Sequence, residues 1–348
     1  MFRFLCSRRL DRAKGFFNSG DSTVILLRYA ETPFLIRSIS SNPTHYNSFT
    51  VSYLVDSCGL SREKAVSASQ KVRFKTPTKQ DLVLTLFREH DFPNTHISKI
   101  IQKLPKLLSS NVDKTLKPKL DFFNSIGLSG PDLANFISRD PNILMTSLEN
   151  KIMPNVALLR TLGVPDCNIC KLLLLNARTF YICNNSFNKS VEEATKREFD
   201  PSKFVFVMAV HVLSCFSKSS WEAKCDIYKR WGWSEKEINT AFRLQPMCMG
   251  ISEKNIMSTM EFLVNKTGYD PLLISKTPVV LLYSLEKRTI PRLSVIRVLI
   301  TNGIVVEDFK LATLLCISEK DFLRKYVTKF EGKIPELFSV YQGKTNGL

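Results

Sequence analysis

The sequence predicts an all-α protein: a right-handed-type helical-repeat solenoid of about seven helix-turn-helix units, curved so that one face is concave. Three observations predict it. A pattern recurs about every 36 residues, prolines recur in step with it, and apolar residues fall at three-and-four spacing between the two markers.

The recurring pattern is an apolar pair that precedes a small or turn residue by five and four positions, with another apolar residue just after it. Copies are Leu86-Phe87 before Asp91-Phe92, Phe122-Phe123 before Gly127-Leu128, and Leu158-Leu159 before Gly163-Val164. Further copies are Ile227-Tyr228 before Gly232-Trp233, Leu263-Val264 before Gly268-Tyr269, and Val298-Leu299 before Gly303-Ile304. A degenerate copy ends near Phe199. These anchors are separated by 36, 36, 36, 33, 36 and 35 residues. Pro105, Pro141 and Pro246 each stand 22 residues before the anchors Gly127, Gly163 and Gly268, and Pro278 is the fourth such marker.

Each unit then follows in order. A capping residue just after the anchor (Ser129, Asp166, Ser234 or Asp270) opens a first helix, as in Asp132 to Arg139 or in Ser234 to Leu244 with Ile238, Ala241 and Phe242 on one face. The proline ends it, because it lacks an N–H and biases its predecessor away from the α region. A second helix leads to the glycine, which suits a left-handed C-terminal cap. Pro118, Pro154 and Pro291 read as first-turn prolines of second helices. The polar stretch from Asn184 to Lys203 reads as a degraded repeat or an insertion, not as a domain boundary. Units of this kind bury their apolar faces only by stacking on neighbours.

The ends differ from the middle. Residues 1–45 carry Arg3, Arg8, Arg9, Arg12, Lys14, Arg28 and Arg37 against Asp11, Asp21 and Glu31. With their Phe, Leu and Ser content they have the look of an organellar transit peptide, for a mitochondrion or alternatively a chloroplast, although three acids are more than such peptides usually hold. Residues 46–342 form the expected repeat domain and 343–348 a C-terminal tail. No later apolar stretch reaches the length of a membrane helix, so a soluble monomer without membrane association is expected.

Lys and Arg number 49 against 32 acids, giving +17 and a pI near 9.5. Without the leader's net +4 the chain still carries +13, so the basic excess belongs to the folded part and favours a polyanionic partner. Catalysis is not expected. His45, His90, His96 and His211 form no nucleophile or metal arrangement, and no phosphate-binding Gly loop is present. The nine cysteines (Cys6, Cys58, Cys167, Cys170, Cys183, Cys215, Cys225, Cys248 and Cys316) lack the spacing of a disulfide framework and read as reduced. Cys167 and Cys170 form one Cys-x-x-Cys without a second pair, so no metal or cofactor is called for. Trp231 and Trp233 bracket a turn, where stapling of adjacent repeats competes with base stacking.

Several stretches are similar to one family. The repeat with its proline, Trp231-Gly232-Trp233-Ser234, the corner Gln245-Pro246-Met247-Cys248-Met249, the run from Tyr283 to Arg292, and the closing Ile334 to Tyr341 resemble the mitochondrial transcription termination factor (mTERF) family, plant members in particular. The resemblance spans roughly Tyr53 to Gln342. It implies an α-solenoid curved like a half-doughnut, import into mitochondria or plastids, and binding of DNA or RNA that affects organellar transcription, splicing or ribosome assembly. Other organellar expression factors are implied as further partners. Ala177 and Val210 stand where proline would be expected, so the middle repeats are expected to pack differently.

Candidate contacts follow from the residues near the second-helix starts. Lys114, Lys117, Lys151, Lys287 and Arg288 gather just ahead of the three prolines, and Lys218 and Lys254 hold similar places where the proline is missing. A cation there opposes the helix dipole, so an anion such as phosphate is the expected companion. Arg292, four residues beyond Arg288, joins them, with Arg243 and Arg297 as outlying candidates. A scaffold that binds protein partners remains the competing function; it predicts apolar patches where nucleic-acid binding predicts Lys and Arg.

Overall fold

The computed structural model describes residues 48–304 and 310–344. The expected leader therefore lies outside the described residues, as does most of the expected tail. Every assigned element among the described residues is helical. They divide into two compact units that part between Ser214 and Cys215.

The first unit contains α1 (Ser48–Asp56), α2 (Arg62–Ser69), α3 (Thr78–Glu89), α4 (Asn94–Lys103), α5 (Lys117–Ser125), α6 (Gly130–Arg139), α7 (Met153–Thr161), α8 (Asp166–Asn176), α9 (Asn184–Lys196) and α10 (Phe204–Ser214). The second contains α11 (Lys218–Lys229), α12 (Glu235–Leu244), α13 (Glu253–Met260), α14 (Pro271–Ser275), α15 (Ile290–Thr301), α16 (Leu311–Cys316), α17 (Glu319–Phe322) and α18 (Leu337–Tyr341). From α3 to α17, odd numbers are the second helices of repeats and even numbers the first.

The anchors are left-handed turns. Asp91, Gly127, Gly163, Gly232, Gly268 and Gly303 all have φ between 60° and 93°. The apolar residue after each closes the turn: the Leu128 N–H reaches Phe123 O at 2.9 Å, and Val164 reaches Leu159 O at 3.0 Å. The degenerate copy is a full turn of the same kind, but its left-handed residue is Glu198, with Phe199 following. That position has no glycine, which hid it, and a side chain there costs roughly 1–2 kcal/mol. The same turn recurs at Gly59, one repeat earlier than the sequence pattern reached.

The marker prolines Pro105, Pro141, Pro246 and Pro278 are buried and each opens a short 3-10 turn that forms the corner. Ala177 opens the same corner without a proline. Val210 instead lies inside α10, whose residues Phe206 to Val212 are all buried. The stretch from Asn184 is a regular second helix, α9, and the division into units falls after it. Of the expected first-helix caps, Ser234 forms a full capping box with Glu237, and Asp270 accepts from the Leu272 N–H at 2.8 Å. Ser129 caps by position only. Asp166 is already inside α8, and its carboxylate takes a bidentate bond from Arg160 at 2.8 and 2.9 Å.

Pro118, Pro154 and Pro291 stand second in α5, α7 and α15, as first-turn prolines. Each of these helices continues an earlier turn that opens at caps Asn111, Ser147 and Ser284, whose side chains accept from Lys114, Asn150 and Lys287 N–H groups. A wide π turn fills the gap: Lys117 N–H bonds Val112 O, Met153 bonds Leu148 O and Ile290 bonds Leu285 O. The extra residue in that turn makes room for the proline ring, which would otherwise clash with the carbonyl four residues back.

Between repeats, cations of one unit satisfy carbonyls of the next. Lys103 Nζ donates to Ser138 O and Arg139 O, both at 2.9 Å, where α6 ends. The buried Lys119 ammonium donates to Leu144 O in the following corner, and Lys224 to Ile251 O. Burial pushes both ammonium pKa values down. These are the carbonyls a helix end leaves without an internal partner, and a cation there also complements the dipole.

His211 is buried on α10 and hydrogen-bonds Thr179 Oγ1 through Nδ1 at 2.7 Å. Burial lowers its pKa from 6.5 to about 4. The folded chain thus resists protonation that the unfolded chain accepts, so stability is complete above pH 6.5 and is lost as pH falls towards about 4. The loss should approach about 3 kcal/mol. His211→Asn should flatten this slope in thermal unfolding between pH 7 and 4, and an unchanged slope would assign the acid sensitivity elsewhere.

Candidate nucleic-acid interface

Lys114, Lys151 and Lys287 lie in the π turns just ahead of α5, α7 and α15, and Lys117, Lys218 and Lys254 within the first two residues of α5, α11 and α13. Lys218 is the first residue after cap Ser217, Lys254 the second after Ser252, Lys114 the third after Asn111, and Lys287 the third after Ser284. Lys151 is the fourth after Ser147, and Lys117 follows one turn beyond Lys114. All six are exposed. Second-helix openings thus carry Lys114, Lys117 and Lys151 in the first unit and Lys218, Lys254 and Lys287 in the second, at different offsets from their caps.

Carboxylates share these turns. Asp113, Glu149, Glu253 and Glu286 stand one or two residues from the lysines and complement the dipole. The dipole cost of a cation in these turns is thus offset locally. Pairing distinguishes the lysines instead. None of the six lysine side chains makes a hydrogen bond or ion pair among the described residues, whereas cations near the opposite ends of second helices do. Arg160 pairs with Asp166 at 2.8 Å, Arg197 with Glu193 at 2.8 Å, and Arg230 with Glu253 at 3.0 Å. Lys229 lies 3.7 Å from both Asp226 and Glu235. In these repeats the cations near the helix ends are neutralised, whereas the six opening lysines are uncompensated among the described residues.

Arg288 and Arg292 leave the candidate surface. Arg292 is fully buried, its guanidinium donating to Leu314 O, Leu315 O and Ile317 O at 2.8, 3.3 and 2.9 Å, with Glu319 at 3.1 Å. It also lies 4.7 Å over the Phe322 ring. Arg288 donates to Ile317 O at 2.8 Å and sits 4.8 Å over Tyr283. Burial, and then the neighbouring Arg292 charge, lower its pKa. Both arginines cap the end of α16 from the preceding repeat. Arg243 ends α12, and Arg297 is exposed midway along α15; neither is in a second-helix opening turn.

One residue of the set escaped the sequence reading. Lys320, second after cap Ser318, is exposed, makes no hydrogen bond or ion pair among the described residues, and stands in the register of Lys254. Matching Ser318-Glu319-Lys320 to Ser252-Glu253-Lys254 would have found it. The tryptophans are committed to packing. Trp233 stacks on Tyr228 at 4.6 Å and donates to Pro271 O at 2.9 Å in the next repeat. Trp221 meets Phe242 edge-on at 4.9 Å, and Trp231 Nε1 reaches Met257 Sδ at 3.3 Å. Cys170 donates to Ile126 O across a repeat boundary, with Cys167 half-buried beside it. His96 Nε2 bonds Asn135 at 2.9 Å, and His90 accepts from Asn124 at 3.3 Å.

Comparison with known proteins adds a family. The mTERF family model matches residues 72–271 and 205–323. The chain is 21% identical over 209 residues to the chloroplastic transcription termination factor MTERF8 of Arabidopsis thaliana, covering 60% of this chain and 41% of that protein. It is 21% identical over 257 residues to the mitochondrial transcription termination factor MTERF15 of the same plant, covering 73% of this chain and 56% of that protein. The matched segments thus span about half the length of these relatives.

Proposed function

The chain belongs to the mTERF family, and from that premise we propose that it binds double-stranded DNA, RNA or both inside an organelle and regulates gene expression there, at a step such as transcription termination or transcript processing. The unpaired lysines along the second-helix openings carry this reading. Among the described residues their side chains make no hydrogen bond or ion pair, and phosphate backbone is the polyanion that exposed point charges recurring from repeat to repeat within each unit meet best. The engaged tryptophans favour backbone contact over stacking on unpaired bases. A protein-binding scaffold would need apolar surface at those openings, where Lys114, Lys117, Lys151, Lys218, Lys254 and Lys287 stand instead. The organelle is read as the mitochondrion, with the chloroplast as the alternative; the relatives' names include one of each.

Affinity for 25-base-pair DNA and RNA duplexes and for the matching single strands, measured from low to physiological salt, tests the reading. Binding should weaken steeply with salt, by about 0.9 decades per decade of salt for each phosphate neutralised on a duplex. Absence of binding at low salt, or binding indifferent to salt, would remove it.

A further inference from the structure

Among the described residues, a dense group of cations without hydrogen-bond or ion-pair partners lies outside the second-helix openings. Between Ser61 and Gln80 the chain carries Arg62, Lys64, Lys71, Arg73, Lys75 and Lys79 against a single carboxylate, Glu63. Lys71 to Lys75 form the irregular link from α2 to α3, and their burial alternates. Val72 and Phe74 are buried, while Lys71, Arg73 and Lys75 are exposed. The link leaves α2 through a turn, the Lys71 and Val72 N–H groups bonding Ala68 O at 2.9 and 3.2 Å, and the alternation leaves the three cations exposed between buried neighbours.

The link is held in place from beneath. The hydroxyl of Thr50, fully buried on α1, donates to Phe74 O at 3.1 Å and accepts from the Phe74 N–H at 3.3 Å. The Phe74 ring meets Tyr53 edge-on at 5.2 Å and Phe49 at 6.2 Å. The Tyr53 hydroxyl in turn donates to Asp81 on α3 at 2.6 Å. Asp81 is thereby engaged with Tyr53, and Lys71, Arg73, Lys75 and Lys79 make no hydrogen bond or ion pair among the described residues. Three cations in a row, fixed by their apolar neighbours and uncompensated, complement a linear polyanion.

We propose that Lys71, Arg73 and Lys75 form a ridge that contacts the phosphate backbone of the nucleic acid, with Lys79 at its end. This deepens the nucleic-acid reading and rests on it. The ridge pre-pays the ordering of its backbone through Thr50 and Phe74, and its contacts are independent of sequence.

The test uses the full chain with Lys71, Arg73 and Lys75 all replaced by Gln, and a second variant with Lys71→Arg and Lys75→Arg. The side chains are exposed, and circular dichroism confirms folding. The probes are a labelled 25-base-pair duplex, its single strand, and vesicles of phosphatidylglycerol in phosphatidylcholine. The Gln variant should bind nucleic acid at least about tenfold more weakly and lose up to about three phosphate contacts from the salt slope, while the Arg variant binds like wild type. Wild-type affinity and slope in the Gln variant, with wild type binding well, would overturn the ridge alone. An effect confined to vesicles would overturn it in favour of an anionic membrane surface. If wild type binds no nucleic acid, the functional reading fails and the ridge with it.

Discussion

Replacing Arg292 by alanine is expected to destabilise the unit that begins at Cys215 by about 3–5 kcal/mol. The guanidinium is fully buried, bonds three carbonyls at the end of α16 and pairs with Glu319, which also accepts from the Tyr341 hydroxyl. Truncation strands these acceptors in an apolar setting, and each buried acceptor left without a donor costs about 1–3 kcal/mol. Trp221, Trp231 and Trp233 all lie in this unit, so their fluorescence during urea unfolding isolates its transition. Arg292→Lys should recover part of the loss, since one ammonium cannot reproduce the planar fork. A change below about 1 kcal/mol for Arg292→Ala would show that the guanidinium is not committed as described.

The largest effect on binding is expected from the lysine row. Changing Lys114, Lys117, Lys151, Lys218, Lys254 and Lys287 together to Ala should flatten the salt slope by up to roughly five and lower affinity on the order of a thousandfold. A control removes the same kind of charge elsewhere: Arg160, Arg197, Lys229 and Arg230 to Ala, all ion-paired within the protein. That variant should bind within a few-fold of wild type. Equal losses in the two would mean that net charge, and not these openings, attracts the polyanion.

The repeat was legible because its signals are steric and local. A left-handed turn selects glycine and a corner selects proline, and both requirements return in every unit. Where Glu198 takes the turn at an energetic cost and Val210 continues a helix, the marks vanish although chain order persists. The prolines mark where each regular second helix begins, and nothing in the residue types announces the π turn ahead of it.

The candidate site was legible only in part. Lys287 and Arg292 look alike in a charge count, yet one is exposed and the other is in the core. The discriminating signal was the helical face: Arg292 precedes Val295, Ile296 and Leu299 by three, four and seven residues, which places it on the buried stripe. Lys119 occupies the matching place one residue after Pro118 and is buried too. The ridge at Lys71 to Lys75 was missed because it falls between helices, where attention to helical period does not look.

The cations that cap neighbouring carbonyls have a direction. Lys103, Lys119, Lys224, Arg288 and Arg292 each donate to residues later in the chain, 20 to 40 positions on. A ribosome therefore releases donors before their acceptors. The newest segment of a growing chain carries hydrated ammonium and guanidinium groups awaiting a corner, and each corner emerges to find its donor already made.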